Sequence, residues 1–138
     1  MPANAATIDA MTDDEQQAAF DREFARCAPW LQAALDEGDN THTLEDIRAA
    51  VLAQYMQFWP AERGAAITEV VSYPRSKTLH IFLAGGELDQ IVDMEASAAR
   101  FARAVGCNQM TVAGRRGWLR VLGDQGYKES LTLLSKEL

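Results

Sequence analysis

Apolar residues in the first third of the chain recur at spacings of three and four, the period of an amphipathic helix. The series starts after Thr12 or Asp13, and acidic residues in its first turn suit the positive end of a helix. Its apolar members are Phe20, Phe24, Cys27, Leu31 and Leu35. The pattern predicts one helix, which Pro29 could interrupt and which Gly38 ends.

A second apolar series follows, and it also has helical spacing. Thr43 with Asp46 three residues later forms an imperfect capping box at its start. The apolar positions are Leu44, Ile47, Val51, Leu52, Tyr55 and Met56. We expect this second helix to end near Trp59 and Pro60.

The remainder of the chain alternates strand and helix patterns. Residues 65–73 and 78–83 are rich in β-branched and aromatic side chains around a turn at 74–76, which predicts a β-hairpin. Further elements follow: a helix from Leu88 to Gly106, a strand at 107–113, a helix at 115–122 and a last strand at 127–134.

The chain length of 138 residues suits a single domain, at residues 13–138, after a flexible tail at residues 1–12. The net charge of −7 is uneven: twelve acidic and four basic residues precede position 65, against eight and nine after it. Phosphate repulsion would oppose nucleic-acid binding by the first half. Arg115, Arg116 and Arg120 form the candidate anion patch.

Two cysteines, Cys27 and Cys107, are too few and too far apart for a disulfide framework or a paired zinc motif, so no metal site is expected. The N-terminus lacks the pattern of a signal peptide, and no apolar run is long enough to span a bilayer. We therefore expect no membrane anchor and a location in the cytoplasm.

From His80 onward, the order of elements resembles the second half of the GNAT acyltransferase fold. The residues that carry this likeness are LHIFLAGG at 79–86, GCNQMTV at 106–112 and LGDQGYK at 122–128. The resemblance covers about residues 13–136 and implies an α/β (α+β) fold. That fold would be a GNAT-like mixed sheet with two N-terminal helices, a β-hairpin and a β-α-β-α-β C-terminal half. In the family, a glycine-bearing loop and helix hold the pyrophosphate of an acyl-coenzyme A.

A narrower likeness concerns GRRGW at 114–118, the following LRVLGDQGYK and SYPRSKTLHIFLAGG at 72–86. These segments look like small GNAT-like proteins encoded among the virion genes of tailed bacteriophages. The resemblance implies an internal, ejected or head-tail associated virion protein or an assembly factor, located in the virion or the host cytoplasm. Its partners would be other protein chains, such as portal, head or internal virion proteins.

The loop in the position of the pyrophosphate site departs from the family pattern. An active GNAT needs spaced glycines after a basic residue, because bare backbone N–H groups must approach a doubly negative pyrophosphate. Gly85 and Gly86 are weak candidates for cofactor binding, and Glu87 and Asp89 add carboxylates that would repel phosphate and fill the helix end. We expect no cofactor.

Acyl transfer also needs a general base, and often a tyrosine acid. Glu69, His80 and Tyr73 are the candidates, but nothing in the sequence shows that they share a cleft. Tyr127 is interpreted as a core aromatic residue with its hydroxyl at the rim. No residue is assigned a catalytic role.

Residues 114–120, at the start of the predicted helix at 115–122, have two interpretations. Arg115 and Arg116 lie at a helix start, where positive charge is unfavourable, so an acidic partner or ligand would explain them together with Trp118 and Arg120. The simpler alternative is an ion pair with the acidic N-terminal helix. In that alternative Trp118 packs in the core and Gly117 permits a close backbone approach.

These observations favour a noncatalytic GNAT-like module that binds protein chains, with homo-oligomerisation as a further expectation. An acyl-coenzyme A dependent N-acyltransferase with a divergent cofactor loop is the alternative, motivated by the fold. A third hypothesis is a host-directed regulator whose acidic face mimics nucleic acid.

Overall fold

The computed structural model describes residues 11–114 and 117–138, without the side chain of Leu119. Helices and strands follow one another as α1 (Asp13–Asp36), α2 (Leu44–Leu52), β1 (Gln57–Ala61), β2 (Gly64–Tyr73), β3 (Ser76–Gly86), α3 (Leu88–Ala104), β4 (Gln109–Val112) and α4 (Gly117–Leu122), with a short 3-10 turn at Gly123–Gln125. The predicted tail falls on residues 1–10, outside the described part of the chain, and on the first residues before α1.

The two N-terminal helices begin where capping residues predict. The hydroxyl of Thr12 accepts a hydrogen bond from the Glu15 amide at 3.1 Å. At α2, Thr43 and Asp46 make both reciprocal bonds of a capping box, at 2.9 and 3.1 Å. Helix α1 runs through Pro29 without a break, because that residue is exposed and the apolar face continues to be buried beyond it.

The predicted end of α2 is wrong. The helix ends at Leu52, and Gln54 adopts a left-handed φ of 66°. The amides of Tyr55 and Met56 both turn back to the Ala50 carbonyl, at 2.9 and 3.2 Å. This turn closes the helix and frees the following residues to enter a sheet.

Residues assigned to the end of that helix instead form strand β1. Phe58 packs against the α1 side of the sheet and Trp59 against the α3 side, so alternate residues are buried on opposite faces. Pro60 is tolerated because β1 lies at the edge of the sheet, where an amide N–H is not needed on the outer side.

The sheet has the strand order β1-β2-β3-β4, with antiparallel pairs except for β3 and β4, which are parallel. The predicted hairpin and mixed sheet are confirmed. Between the pairs Ile67 with Leu83 and Thr68 with Ile81, the register skips Phe82. Because of this β-bulge, Leu79 faces α3 whereas Leu83 faces α1.

Helices cover both faces of the sheet. The cluster beneath α1 and α2 comprises Phe24, Cys27, Leu31, Leu35, Ile47, Met56, Ala65, Ile67 and Leu83. The opposite face packs on α3 through Ala66, Ile91, Met94, Leu79, Ala98 and Ala102. The result is a three-layer α/β/α arrangement in which every expected apolar position of α1 from Phe24 to Leu35 is buried.

The predicted last strand is wrong as well. Residues 127–138 adopt no regular secondary structure, and Leu131, Leu133 and Leu134 are at least 75% exposed. The alternating pattern is present in the sequence, but a strand forms only when a neighbour supplies hydrogen bonds. Within residues 11–114 and 117–138, no segment pairs with this one.

Candidate functional site at the start of helix α3

The turn between β1 and β2 is held from the α1 side by one arginine. Arg26 donates from Nη1 to the Glu62 carbonyl at 3.0 Å and from Nη2 to the Ala61 carbonyl at 2.8 Å. Its guanidinium also lies 5.8 Å from the centroid of the Trp30 ring. Helix α1 therefore fixes the position of this turn relative to the sheet.

The same turn is held from the other side by the first residues of α3. The Arg63 amide donates to Gln90 Oε1 at 3.0 Å, and the Arg63 carbonyl accepts the Glu87 amide at 3.0 Å. The turn thus lies directly on the start of α3. We call this assembly, Arg63 with Glu87, Asp89 and Gln90, the turn clamp.

Ion pairs complete the turn clamp. The Arg63 guanidinium pairs through Nε with Glu87 and through Nη2 with Asp89 Oδ2 at 3.1 Å, and Glu62 lies 3.7 Å from Nη1. The hydrogen bond that Arg63 donates to Glu87, followed by the negative charge of Glu87, raises the pKa of Arg63. Three carboxylates surround one guanidinium, so three negative charges minus one positive charge leave an excess of −2.

The expectation that Glu87 fills the end of α3 needs correction. Glu87 occupies the N-cap position, but its carboxylate makes no capping hydrogen bond, because it is directed to Arg63 instead. Its backbone N–H is taken by the Arg63 carbonyl. Negative charge therefore lies beside the helix start, as expected, while the capping itself is absent.

Gly85 and Gly86 are required by close packing of backbone segments. A Cβ on Gly85 would lie 2.7 Å from the Trp30 carbonyl oxygen. Gly86 has a φ of 116°, and a Cβ there would lie 2.4 Å from both the Arg63 carbonyl oxygen and the Gly64 Cα. These two glycines bring α1 and the turn clamp against the end of β3, which explains them without a bound phosphate.

A small apolar cavity lies between the sheet and α3. Its lining includes Trp59, Thr68, Met94, Glu95 and Trp118, and it encloses about 20 Å³, room for about one water molecule. The Trp59 indole donates to Thr68 Oγ1 at 2.9 Å, and that hydroxyl donates to Gln57 Oε1 at 2.8 Å. The buried polar groups at this wall are therefore paired.

The sequence candidates for acyl-transfer chemistry are only partly brought together. Glu69 and His80 are direct partners across β2 and β3, and His80 Nδ1 lies 2.8 Å from Thr111 Oγ1 on β4. Burial lowers the pKa of His80, opposed by the charge of Glu69. Tyr73 lies at the hairpin end, four residues along β2 from Glu69, or about 13 Å at the rise of a strand.

Tyr127 is half-buried, in agreement with its interpretation as an aromatic core residue with a rim hydroxyl. The hydroxyl donates to Glu95 Oε2 at 2.9 Å and lies 3.7 Å from Met110 Sδ. Burial first, and then the hydrogen bond and charge of Glu95, raise the pKa of Tyr127. This side chain ties the segment after α4 to both α3 and β4.

The arginine-rich stretch is only partly described, since Arg115 and Arg116 lie outside the described residues. Trp118 is half-buried and packs against the cluster on the α3 side of the sheet. Arg120 is exposed and lines an open groove between α3 and α4. The simpler interpretation of Trp118 as a packing residue fits these contacts, and the pairing of Arg115 and Arg116 stays a prediction.

The glycine that permits close packing here is Gly114 rather than Gly117. A Cβ on Gly114 would lie 2.4 Å from Cδ1 of Trp118. No described atom lies within 4 Å of the corresponding point on Gly117. The close approach is therefore made by the Trp118 indole ring to Gly114, three residues before the start of α4.

The described residues contain neither a membrane-spanning helix nor a grouped set of metal ligands. In residues 11–114 and 117–138, no helix combines the length and the apolar character needed to cross a membrane. In the same part of the chain, no three His, Cys, Asp or Glu side chains are grouped to hold a metal ion. The two cysteines are free, with Cys27 buried and Cys107 half-buried.

Sequence reasoning missed Arg63 and Gln90, the two residues that organise the turn clamp. The segment Glu62-Arg63-Gly64 has turn-forming character, but its importance becomes visible only once β1 is recognised as a strand. Arg63 then lies at the tip of a β-turn that the antiparallel pairing places next to the end of β3.

Comparison with solved structures identifies the fold. An acetyltransferase from Trypanosoma brucei superimposes with a TM-score of 0.63 at 11% identity, covering 84% of this chain and 95% of that one. A probable acetyltransferase gives a TM-score of 0.64 at 10% identity, with 85% and 91% covered. A transcriptional regulator from Bacillus halodurans gives 0.57 at 13% identity, with 72% and 79% covered.

In sequence, the chain matches no protein-family model and no curated protein. The structural neighbours nevertheless establish that the chain has the GNAT-type acetyltransferase fold, which confirms the predicted fold class. At identities of 10–13% the likeness concerns the fold alone. The activity has to be argued from this chain's own residues.

Proposed function

We propose that this chain is a noncatalytic GNAT-fold module that works by binding other protein chains. The observation that carries the proposal is the turn clamp at the start of α3. There Arg63 takes the Glu87 amide with its carbonyl and the carboxylates of Glu87 and Asp89 with its guanidinium. The Glu87 amide and the Arg63 guanidinium, two groups that could contact a phosphate, are therefore engaged within the chain.

Electrostatics support this proposal. The N-terminus of a helix offers roughly half a positive charge to an anion. The excess of two negative charges around Arg63 opposes a pyrophosphate at the same place. Since these side chains are exposed, salt weakens the repulsion without reversing its sign.

Packing supports it too. Gly85 and Gly86 already hold the backbones of Trp30 and Arg63 at close range, so their lack of side chains is used inside the fold. The enclosed cavity beside α3 has room for about one water molecule, and the larger open groove between α3 and α4, of about 510 Å³, is lined by the acidic Asp89. His80 is engaged with Thr111, and Tyr127 with Glu95.

For the partner, we propose protein chains of a tailed-phage virion, such as portal, head or internal proteins. The likeness of residues 72–86 and 114–128 to small phage GNAT-like proteins supports this choice. Arg115, Arg116, Trp118 and Arg120 are the candidate contact residues, and among them Arg120 is exposed beside an open groove. Mass spectrometry of purified particles should detect the chain, and its absence from them would contradict this part.

Isothermal titration calorimetry with acetyl-coenzyme A tests the noncatalytic part. We expect no saturable heat from the native chain up to a ligand concentration of about 1 mM, which corresponds to a very weak interaction. Saturable binding below that concentration, together with acetyl transfer to an amine, would support the acyltransferase alternative instead.

A charge variant sharpens this experiment. Glu87→Gln with Asp89→Asn removes the acidic excess at the turn clamp, whereas Asp93→Asn removes one charge from an exposed position one turn further along α3. If the acidic pair repels phosphate, the double variant should bind acetyl-coenzyme A more tightly than the Asp93→Asn control. Equal binding by both variants would show that these charges have no part in excluding the ligand.

A further inference from the structure

The last twelve residues carry four exposed leucines and pair with no strand of the described chain. We call residues 127–138 the C-terminal arm. Its leucines are exposed, at 80% for Leu131, 75% for Leu133, 88% for Leu134 and over 100% for Leu138. Single exposed leucines are ordinary, but four within eight residues form a surface that favours burial.

The sheet offers a place for such a segment at its β4 edge. Strand β4, Gln109–Val112, is the last in the order β1-β2-β3-β4 and pairs with β3 on one side. On its other side, no described strand pairs with it. An open edge carries unpaired N–H and C=O groups, which are a template for another strand.

The arm begins beside that edge. The Tyr127 hydroxyl lies 3.7 Å from the sulfur of Met110, a β4 residue, and bonds to Glu95 at 2.9 Å. Gly126 makes a left-handed turn, with a φ of 94°, immediately before the arm. The position of Tyr127 is therefore fixed at the root of the arm, while the leucines beyond it stay in solvent.

We propose that the C-terminal arm of one copy adds as a strand to the β4 edge of a second copy, and that the exchange is reciprocal. Each copy carries both an arm and an edge, so the contact closes on itself with two-fold symmetry. Leu131 and Leu133, two residues apart, would share one face of the added strand. The inference holds whether or not acetyl-coenzyme A binds, so it is independent of the proposed function.

Charge and size are compatible with a dimer of this kind. The arm carries Lys128 and Lys136 against Glu129 and Glu137, so it is neutral within a chain of net charge −7 and adds no repulsion. Strand β4 has four residues, so about four residues of the arm can pair with it, and the exposed leucines of the arm add apolar area to the contact.

Sedimentation equilibrium tests the association. The native chain should approach twice its mass of 15.2 kDa with increasing concentration, and a chain ending at Gly126 should stay monomeric. Leu131→Ser with Leu133→Ser should raise the dimer dissociation constant at least about tenfold. A native chain that stays monomeric at every concentration would overturn the proposal.

Leu88→Ser serves as the matched control, since Leu88 is also an exposed leucine, at 61%, but lies on α3 in the groove beside Arg120. It should leave the dissociation constant unchanged. If it weakens the dimer as much as the arm variant does, the arm packs in that groove and pairing with β4 is wrong.

Cross-linking distinguishes exchange between copies from folding back within one copy. In a Cys107→Ser background, one preparation carries Gln109→Cys on β4 and another carries Leu133→Cys on the arm. After mixing and mild oxidation, a disulfide-linked heterodimer is expected on a non-reducing gel. If the two substitutions placed in one chain give only an intramolecular disulfide, the arm pairs with its own sheet and the proposal is overturned.

Discussion

The turn clamp and the C-terminal arm differ in how firmly the rest of the chain holds them. Arg26 and Arg63 fix the turn between β1 and β2 from two sides, through bonds to backbone carbonyls and to Glu87. The C-terminal arm has its anchor at Tyr127, and its leucines contact solvent. The polar turn is therefore bonded within the chain, whereas the leucines of the arm have no such contacts and are exposed.

This difference indicates where the chain can interact. At the start of α3, the Glu87 amide is bonded to the Arg63 carbonyl and the Arg63 guanidinium is paired with Glu87 and Asp89. The β4 edge and the arm, at the other side of α3, present unpaired backbone and apolar side chains. We propose that a GNAT-type fold arranged in this way disfavours an anionic ligand at the start of α3 and offers its β4 edge to a second chain.

The largest effect should separate a core leucine from an arm leucine. Leu31 is fully buried between α1 and the sheet, so Leu31→Ala should lower the free energy of unfolding by about 2–5 kcal/mol. Leu133→Ala should change it by less than about 0.5 kcal/mol when the chain is diluted to a monomer. Urea denaturation at low protein concentration measures both. Similar losses in the two variants would mean that the arm packs on its own domain.

The turn clamp should be nearly as sensitive at Gly86. Gly86→Ala would strain a residue with a φ of 116° and press a Cβ against Arg63 and Gly64, at an expected loss of about 2–3 kcal/mol. Gly123→Ala is the control, because no described atom lies within 4 Å of its added Cβ and its φ is not left-handed. Thermal or urea unfolding compares the two. A Gly86→Ala variant as stable as the control would show that the turn can move away from β3.

Long periodic patterns made α1, α3 and the hairpin predictable from the sequence. Their apolar positions repeat over several turns or alternations, so one face is specified many times. The run Tyr55-Met56-Gln57-Phe58-Trp59 is short and compatible with both periods, and the left-handed Gln54 that ends α2 gives little signal in the sequence. The arm shows the converse, since a strand-like pattern specifies a strand only when an edge is paired with it.

The candidate site was half predictable. Glu87 and Asp89 stand out as acidic residues at a glycine turn, and their effect on phosphate could be inferred from charge alone. Their partner could not, because Arg63 precedes Glu87 by 24 residues and reaches it only through the antiparallel pairing of β1, β2 and β3. Ion pairs of this kind depend on tertiary structure that a local pattern does not contain.

A smaller effect should appear in the pH dependence of stability, through His80 on strand β3, next to β4. Burial lowers the pKa of His80 from its ordinary value of 6.5, so the unfolded chain takes up a proton at a higher pH than the folded chain. Stability due to His80 is therefore present above about pH 6.5 and is lost as pH falls through the lowered pKa. Urea denaturation across pH 7.5 to 5 should show this loss in the native chain.

His80→Gln should reduce that pH dependence, because glutamine does not titrate and can still bond to Thr111. The comparison concerns the slope of unfolding free energy against pH, so a constant loss of stability in the variant does not affect it. If the slope is the same in both chains, His80 is not the group that responds to pH.

The smallest effect should come from the ion pairs of the turn clamp, because they are exposed to water. Arg63→Ala should lower the urea midpoint slightly and reduce the salt dependence of stability, since it leaves Glu62, Glu87 and Asp89 without their cation. Arg48→Ala, which breaks the exposed pair with Asp21 at 2.7 Å, is the matched control. Arg63→Ala should have the larger effect at low salt, because three carboxylates then repel one another, and the two variants should converge in high salt.

The mass of the dimer should be the same for Arg63→Ala and the native chain, since the turn clamp and the C-terminal arm share no described contact. A change in dimerisation by Arg63→Ala would contradict the separation of the two regions and would place the turn clamp in the interface.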